Sequence, residues 1–200
     1  MTTIRTMLIA GALLFHAPAG LAAEPTECDR VASHPDDPGR LAPGVERSAI
    51  ELPSALATCQ AELERDPANA RTRYQVARLL FYSGENAPAV AEMRAAADAG
   101  YPQAAFVYGT FVSRGREHAP KDICLAERYW RQSAAGGRQA ARVQYVRFAL
   151  KGRFDACEGR LSPADMTGMI DTAAREARDF YERLLVEDLG EALATAAKRP

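Results

Sequence analysis

Few residue types in this chain could do chemistry, and their spacing decides what each is for. Cysteines stand at Cys28, Cys59, Cys124 and Cys157. No two are spaced C-x-x-C, and the histidines beyond the first two dozen residues, His34 and His118, lie far apart, so the pattern does not indicate a zinc site. An even cysteine count instead suits two disulfides formed in an oxidising compartment. The densest polar cluster is His34-Pro35-Asp36-Asp37, where an imidazole and two carboxylates could trade protons. Pro-Asp-Asp-Pro-Gly is also a turn-forming run, and it is read as a turn. His118, in the loop Arg116-Glu117-His118-Ala119-Pro120, reads as a solvated surface residue. Tyr129 and Trp130 could stack on a ligand, but read as inter-helix core. The sequence holds no G-x-S-x-G, no phosphate-binding glycine loop, no dinucleotide fingerprint and no H-E-x-x-H. No catalytic residue, metal ligand or cofactor is therefore assigned.

The start of the chain sets the compartment. Arg5, the apolar run from Met7 to Phe15, and the small residues of Ala17-Pro18-Ala19-Gly20-Leu21-Ala22-Ala23 describe a cleavable export signal, with cleavage expected after Ala23. The apolar run is too short to span a bilayer, and no later segment offers the roughly 18 consecutive apolar residues of a membrane helix. The expectation is a periplasmic or secreted protein with no membrane insertion after cleavage. Losing Arg5 lowers the Lys+Arg count by one from 25, against 26 Asp+Glu, for a formal charge of −2. Both signs are interspersed, without the basic stripe of a nucleic-acid binder.

The elements that must position these residues form a repeat. Gly100 and Gly137 are 37 residues apart, and each is followed by a matching segment. Ala104-Ala105-Phe106-Val107-Tyr108-Gly109 corresponds to Ala141-Arg142-Val143-Gln144-Tyr145-Val146, with Gly115 and Gly152 each six residues further on. Ahead of the two glycines, Ala89 to Ala99 aligns with Ala126 to Gly136. Apolar residues recur at three- and four-residue spacing: Val76, Leu79, Leu80 and Phe81 on one helix, Val90, Met93, Ala96 and Ala97 on the next. Ala77 and Gly109 sit mid-helix, where a neighbour can approach closely. Glycines at 84, 100, 115, 137 and 152 suit reversals that need positive φ, and Asp122 suits the N-cap of a helix from about Ile123 to Ala135. Such pairs cannot bury both faces alone, so they stack. The expected fold is all-α: an α/α solenoid of about three helix pairs.

Ala104-Ala105-x-x-Tyr108-Gly109-x-x-Val112-x-x-Gly115, followed by Lys121-Asp122-x-x-x-Ala126-x-x-Tyr129-Trp130-x-x-Ser133-Ala134-x-x-Gly137, resembles a Sel1-like repeat, a relative of the tetratricopeptide repeat. The unit from Ala70 to Gly100 is nearer the tetratricopeptide form, and the resemblance covers about residues 66–152. The third unit has Val146 where a glycine is usual and no recognisable second helix. The expected organisation is a signal at 1–23, an extended N-terminal arm at 24–50 and a helical repeat domain at 51–200. A short helix from Leu52 through Cys59 to Leu63 leads the domain, and a long capping helix from Ala164 to about Val186 follows Ser162-Pro163. Met166, Met169, Ile170, Ala173, Ala174, Ala177, Phe180, Tyr181 and Leu184 are placed along one side of that last helix, with a break at Gly190. Cys28–Cys59 and Cys124–Cys157 is the favoured pairing of three, because each pair stays in one half of the chain and encloses about one repeat length.

The resemblance also implies function. The first helix of each tetratricopeptide-like unit lines a groove, and position by position this selects Arg71, Tyr74, Arg78, Phe81 and Tyr82, then Gln103, Phe106, Thr110 and Ser113, then Val143 and Arg147. Arginines interleaved with aromatics suit an interface with a protein partner, since both concentrate binding energy. The implied role is protein–protein interaction in the cell envelope by a non-enzyme. The alternative is a cell-wall-directed protein that binds or hydrolyses peptidoglycan or β-lactams, because some cysteine-rich members of the wider family are linked to such ligands.

Overall fold

The computed structural model describes residues 23–198. The export signal expected at 1–23 therefore lies, but for its last residue, outside the described residues. The regular elements among those described are helices: α1 (Glu27–Ala32), α2 (Leu52–Arg65), α3 (Ala70–Tyr82), α4 (Asn86–Asp98), α5 (Pro102–Arg114), α6 (Ile123–Ala135), α7 (Gln139–Leu150), α8 (Pro163–Glu176) and α9 (Phe180–Ala196), with a 3-10 turn at Arg47–Ala49. None is long and apolar enough to cross a membrane. From α2 onward each helix packs on the next, giving the pairs α3/α4, α5/α6 and α7/α8, with α2 before them and α9 closing on both α7 and α8.

Local chemistry sets the boundaries. Asn69 accepts a bond from the Thr72 N–H to start α3, and Asp122 accepts from Cys124 and Leu125 to start α6. At Gly100 (φ 91°) and Gly137 (φ 93°) the chain turns between units in a conformation that favours glycine. Units lock through Trp130, which is fully buried against the open flank of Gly109; a Cβ at Gly109 would lie 2.8 Å from its indole. The Trp130 N–H donates to the Phe106 carbonyl at 3.2 Å. Trp130 and Tyr129 are thus core, as expected.

Cys28 lies against Cys59 and Cys124 against Cys157, with Cα separations of 4.8 and 5.3 Å, so the favoured pairing is the one that forms. The first bridge joins α1 to α2, and the second joins α6 to the loop after α7.

The structure corrects the flanks. The N-terminal arm is not extended: residues 27–32 form α1, started by a reciprocal capping box in which Thr26 and Asp29 bond each other's backbone N–H. The following segment doubles back, with the Val45 N–H donating to the Ser33 carbonyl at 2.8 Å. Residues 34–44 are therefore an Ω-loop, and Gly44 lies so close to Pro35 that a Cβ would sit 2.2 Å from its Cα. The third unit does have a second helix, α8, reached by a longer connection.

The long last helix is two. Asp179 caps a new start by accepting from the Glu182 N–H at 2.9 Å, while Glu182 accepts from the Arg178 N–H at 2.7 Å. The chain turns at 177–179, so Met166, Ile170 and Ala173 of α8 face the core while Phe180 and Tyr181 face solvent, 63 % and 79 % exposed. Gly190 breaks nothing; it lies within α9, where a Cβ would meet Ile170 at 3.6 Å.

Candidate functional site

The N-terminal segment is laid across the first helices of the units. Asp29 of α1 is wholly buried and accepts from Arg71 at both oxygens (2.7 and 3.1 Å) and from the Gln75 amide at 2.8 Å. Burial pushes its carboxyl up, but the bonds from Arg71, the Thr26 N–H and Gln75 outweigh burial and hold it below the usual carboxylate range. Arg78 grips the neck of the Ω-loop: Nη1 donates to the carbonyls of Ala32 and Ser33, both at 2.9 Å, and Nη2 to that of Val45 at 2.7 Å. At the tip, the Tyr101 hydroxyl donates to Asp37 at 2.6 Å, and burial raises the Asp37 carboxyl. Asp36 bridges Arg138 (3.4 Å) and Arg178 (2.9 Å), so the loop reaches from α3 to the α8–α9 turn.

Between this loop and helices α3 to α5 lies a cleft of about 170 Å³. Tyr74, Met93, Gln103 and Phe111 form its buried floor; Phe81, Tyr82, Val107 and His34 stand half-buried at its mouth. Three features give it chemistry. Gln103, one of its lining residues, has a buried side-chain carbonyl oxygen with no hydrogen-bond partner among the described residues. The buried Arg78 guanidinium, bonded to neutral carbonyls and the Tyr82 hydroxyl (3.1 Å), has no carboxylate within ion-pair distance among the described residues. Two exposed arginines stack on the mouth, Arg47 over Tyr82 at 4.9 Å and Arg116 over Phe81 at 4.6 Å, also without a carboxylate partner among the described residues. His34 is neutral near pH 7, because burial, then the Arg78 charge, lower its pKa from 6.5 to about 4.

Five of the eleven expected groove residues, Tyr74, Arg78, Phe81, Tyr82 and Gln103, line this one cleft. The others do not join it. Arg71 is spent on Asp29; Phe106 is half-buried with Arg138 over its ring at 5.1 Å; the Thr110 hydroxyl donates to the Phe106 carbonyl of its own helix at 2.9 Å; Arg147 is exposed. Ser113 bonds the Thr110 carbonyl, and Val143 is half-buried. The inner face is thus not an open strip: the N-terminal segment covers its first half, which turns Tyr74 and Arg78 into buried, structural positions.

His34-Pro35-Asp36-Asp37 is a turn, as expected, with the Asp37 N–H donating to the His34 carbonyl and the Asp36 N–H to His34 Nδ1, both at 3.0 Å. It is also the lip of the cleft. His118 is exposed in its loop, as expected. Sequence reasoning missed Asp29, Tyr101, Arg138 and Arg178, which hold the loop, two of them through Asp36, and it missed Arg47 and Arg116 at the mouth. The available signals were Thr26-x-x-Asp29, a capping box that announces α1, and a paired acid in a Pro-bounded turn, which needs basic partners if it is buried.

No family model matches the sequence, and no curated protein does. Two crystal structures share the fold. A Sel1 repeat protein from Oxalobacter formigenes is 18% identical with a TM-score of 0.53, the match covering 64% of this chain and 97% of that one. A protective antigen present in uropathogenic Escherichia coli strains, which displays an SLR fold, is 21% identical with a TM-score of 0.50 over 78% of this chain and 37% of its own length. Like them, this chain has the fold of Sel1-like repeat proteins.

Proposed function

We propose that the protein is an exported, non-catalytic scaffold that binds another protein through the inner face of its solenoid, in the periplasm or outside the cell. The cleft beneath the Ω-loop carries this reading: aromatic walls beside arginines that no carboxylate of the described chain neutralises are the composition in which binding energy concentrates. The signal-like start and the two cysteine pairs support export. Stacked helix pairs give a stiff frame that presents the cleft without rearrangement.

Cross-linked capture from an envelope fraction tests it, comparing wild type with the pair Arg47→Glu and Arg116→Glu. Both residues are exposed, so the variant should melt like wild type while losing the captured partner. Capture that is absent in both, or equal in both, overturns the assignment of this face.

A further inference from the structure

We propose, building on the scaffold reading, that the tip of the Ω-loop is a stand-in ligand. Its Asp36-Asp37 pair fills a carboxylate-binding strip on the inner face, and two adjacent acidic residues of the partner protein take the strip over by displacing it. The repeat builds this strip. Tyr101 and Arg138 are the N-cap residues of α5 and α7, 37 residues apart and each directly after a reversal glycine. Arg178 stands one residue ahead of Asp179, the N-cap of α9. Three helix starts thereby bring donors to one run of two residues. The Tyr101 hydroxyl donates to Asp37 at 2.6 Å, while Arg178 and Arg138 donate to the two oxygens of Asp36 at 2.9 and 3.4 Å.

The pair in place fills the strip incompletely. Arg138 is 7 % exposed, and its Nε is buried with no hydrogen-bond partner among the described residues. The one carboxylate of the described chain within ion-pair distance of it is Asp36, which it shares with Arg178. A buried guanidinium is neutralised best by two parallel bonds to one carboxylate, and the shared Asp36 gives it one long bond. The attachment is also graded along the segment. Arg78 on the neck, Arg71 on Asp29 and the Cys28–Cys59 bridge fix the base. The tip is held by Tyr101 and two ion pairs, and the outer one lies in water, where such a pair contributes little. The tip can therefore leave the strip while the segment stays tethered.

The loop itself shows what replaces it. Without Asp36 and Asp37 the strip holds the Arg138 and Arg178 charges beside the Tyr101 hydroxyl, and Arg138 has no other carboxylate in reach among the described residues. A neutral or basic segment would leave that charge uncompensated, whereas carboxylates on consecutive residues restore it. A tethered ligand acts at an effective concentration on the order of millimolar, so the loop excludes isolated acidic peptides. A partner that also makes contacts in the neighbouring cleft adds their energy and displaces it.

The test is fluorescence polarisation with a labelled peptide, Gly-Pro-Asp-Asp-Pro-Gly, against the full mature chain and against Asp36→Asn/Asp37→Asn, whose stand-in has lost its charge. The variant should bind the peptide at least roughly tenfold more tightly than wild type, and neither protein should bind the same peptide with Asn-Asn at its centre. Adding Arg178→Gln to the variant should weaken binding about tenfold. In wild type at millimolar peptide, hydrogen exchange should speed up across 34–40 and stay slow across 27–32, and this readout decides if the variant does not fold. Equal affinity of wild type and variant, no saturation of the variant at millimolar peptide, or unchanged exchange at 34–40 overturns the proposal. If capture from the envelope depends on Arg47 and Arg116 while the peptide fails, the scaffold reading stands and the stand-in ligand falls. If the peptide displaces the loop while capture ignores those arginines, the strip stands and the cleft assignment falls. A dimer in sedimentation velocity that Asp36→Asn/Asp37→Asn dissolves would give the strip to a second copy's loop and overturn the separate partner.

Discussion

The two ends of the solenoid are held together by different physics. At the N-terminal end the apolar cluster is built from small and aliphatic groups, Ala32, Ile50, Val76, Leu79 and Leu80, around the first cysteine pair. Beside it lie the buried polar groups Asp29, Gln75 and Arg78. At the C-terminal end Trp130, Phe148 and Phe154 pack with ring centroids 4.8 to 6.3 Å apart. The buried Glu127 there accepts from Tyr145 at 2.8 Å and Arg131 at 3.0 Å. Directional bonds give a short segment one position on the inner face, whereas ring packing transmits contact from unit to unit with less demand on angle.

The sharpest way to break this contrast is to remove one partner at each end. Asp29→Ala strands Arg71 and Gln75 and should cost about 3–5 kcal/mol in urea denaturation, as expected for one member of a buried pair. Trp130→Ala should cost about the same, through a cavity. The two losses differ in rescue: Arg71→Met added to Asp29→Ala should restore part of the stability, because it removes the uncompensated charge. Nothing so small refills the space of an indole. Equal failure of rescue at both ends would show that the first region is also held by packing.

The cysteine pairs come next. Each bridge spans a similar stretch, 31 and 33 residues, so each should contribute roughly 3–4 kcal/mol by loop closure. What should differ is where the protein opens. In Cys28→Ala/Cys59→Ala, hydrogen exchange should speed up across 27–45, and in Cys124→Ala/Cys157→Ala across 151–162. Faster exchange over the same segment in both variants would erase the distinction between the ends.

The repeat was legible in the sequence because its determinants are local. Apolar spacing, the Asp122 cap and the reversal glycines state their roles within a few residues, and all reappear in the structure. The covering of the inner face was not legible, since it depends on partners such as Tyr101 with Asp37 and Arg178 with Asp36, which are 64 and 142 residues apart. The arm at 24–50 was read as extended although its run at 35–39 was read as a turn, and the prolines and glycines of 35–44 are what let the chain double back. At the other end, a continuous apolar stripe hid the break at 177–179, although Asp179-x-x-Glu182 is a helix-start signature.

A pH ramp sharpens the same contrast with a smaller effect. His34 is depressed to about 4 in the folded protein, below its ordinary 6.5, so the unfolded chain takes up the proton first as pH falls. Its contribution is intact above 6.5 and is lost progressively between 6.5 and about 4, on the order of 1–2 kcal/mol by pH 5. Asp29 and Asp36, both lowered, keep their contributions until pH falls below the usual carboxylate range. Asp37, raised by burial, works in the opposite sense, so the comparison must be between wild type and His34→Asn, whose amide can still accept the Asp36 N–H. The wild-type melting midpoint should fall between pH 6.5 and 5 more steeply than that of the variant, and parallel curves would remove His34 from the account.

The smallest effect comes from the far end of the Ω-loop, where the same kind of pair sits in a different solvent. Arg71 and Asp29 are 18 % and 0 % exposed; Arg178 and Asp36 are 59 % and 33 % exposed. Water screens the outer pair, and a long side chain held in one geometry loses entropy, so Arg178→Ala should cost no more than about 1 kcal/mol. Asp36 would keep Arg138, so no carboxylate is stranded. The variant should still loosen the tip: exchange at Asp36 and Asp37 should rise while that at Asp29 stays slow, because the neck remains gripped by Arg78. Salt separates the two pairs as well, since added sodium chloride should reduce the cost of Arg178→Ala and leave that of Asp29→Ala nearly unchanged. A large, salt-independent loss at Arg178 would mean that the outer contact, and not the buried one, fixes the segment across the inner face.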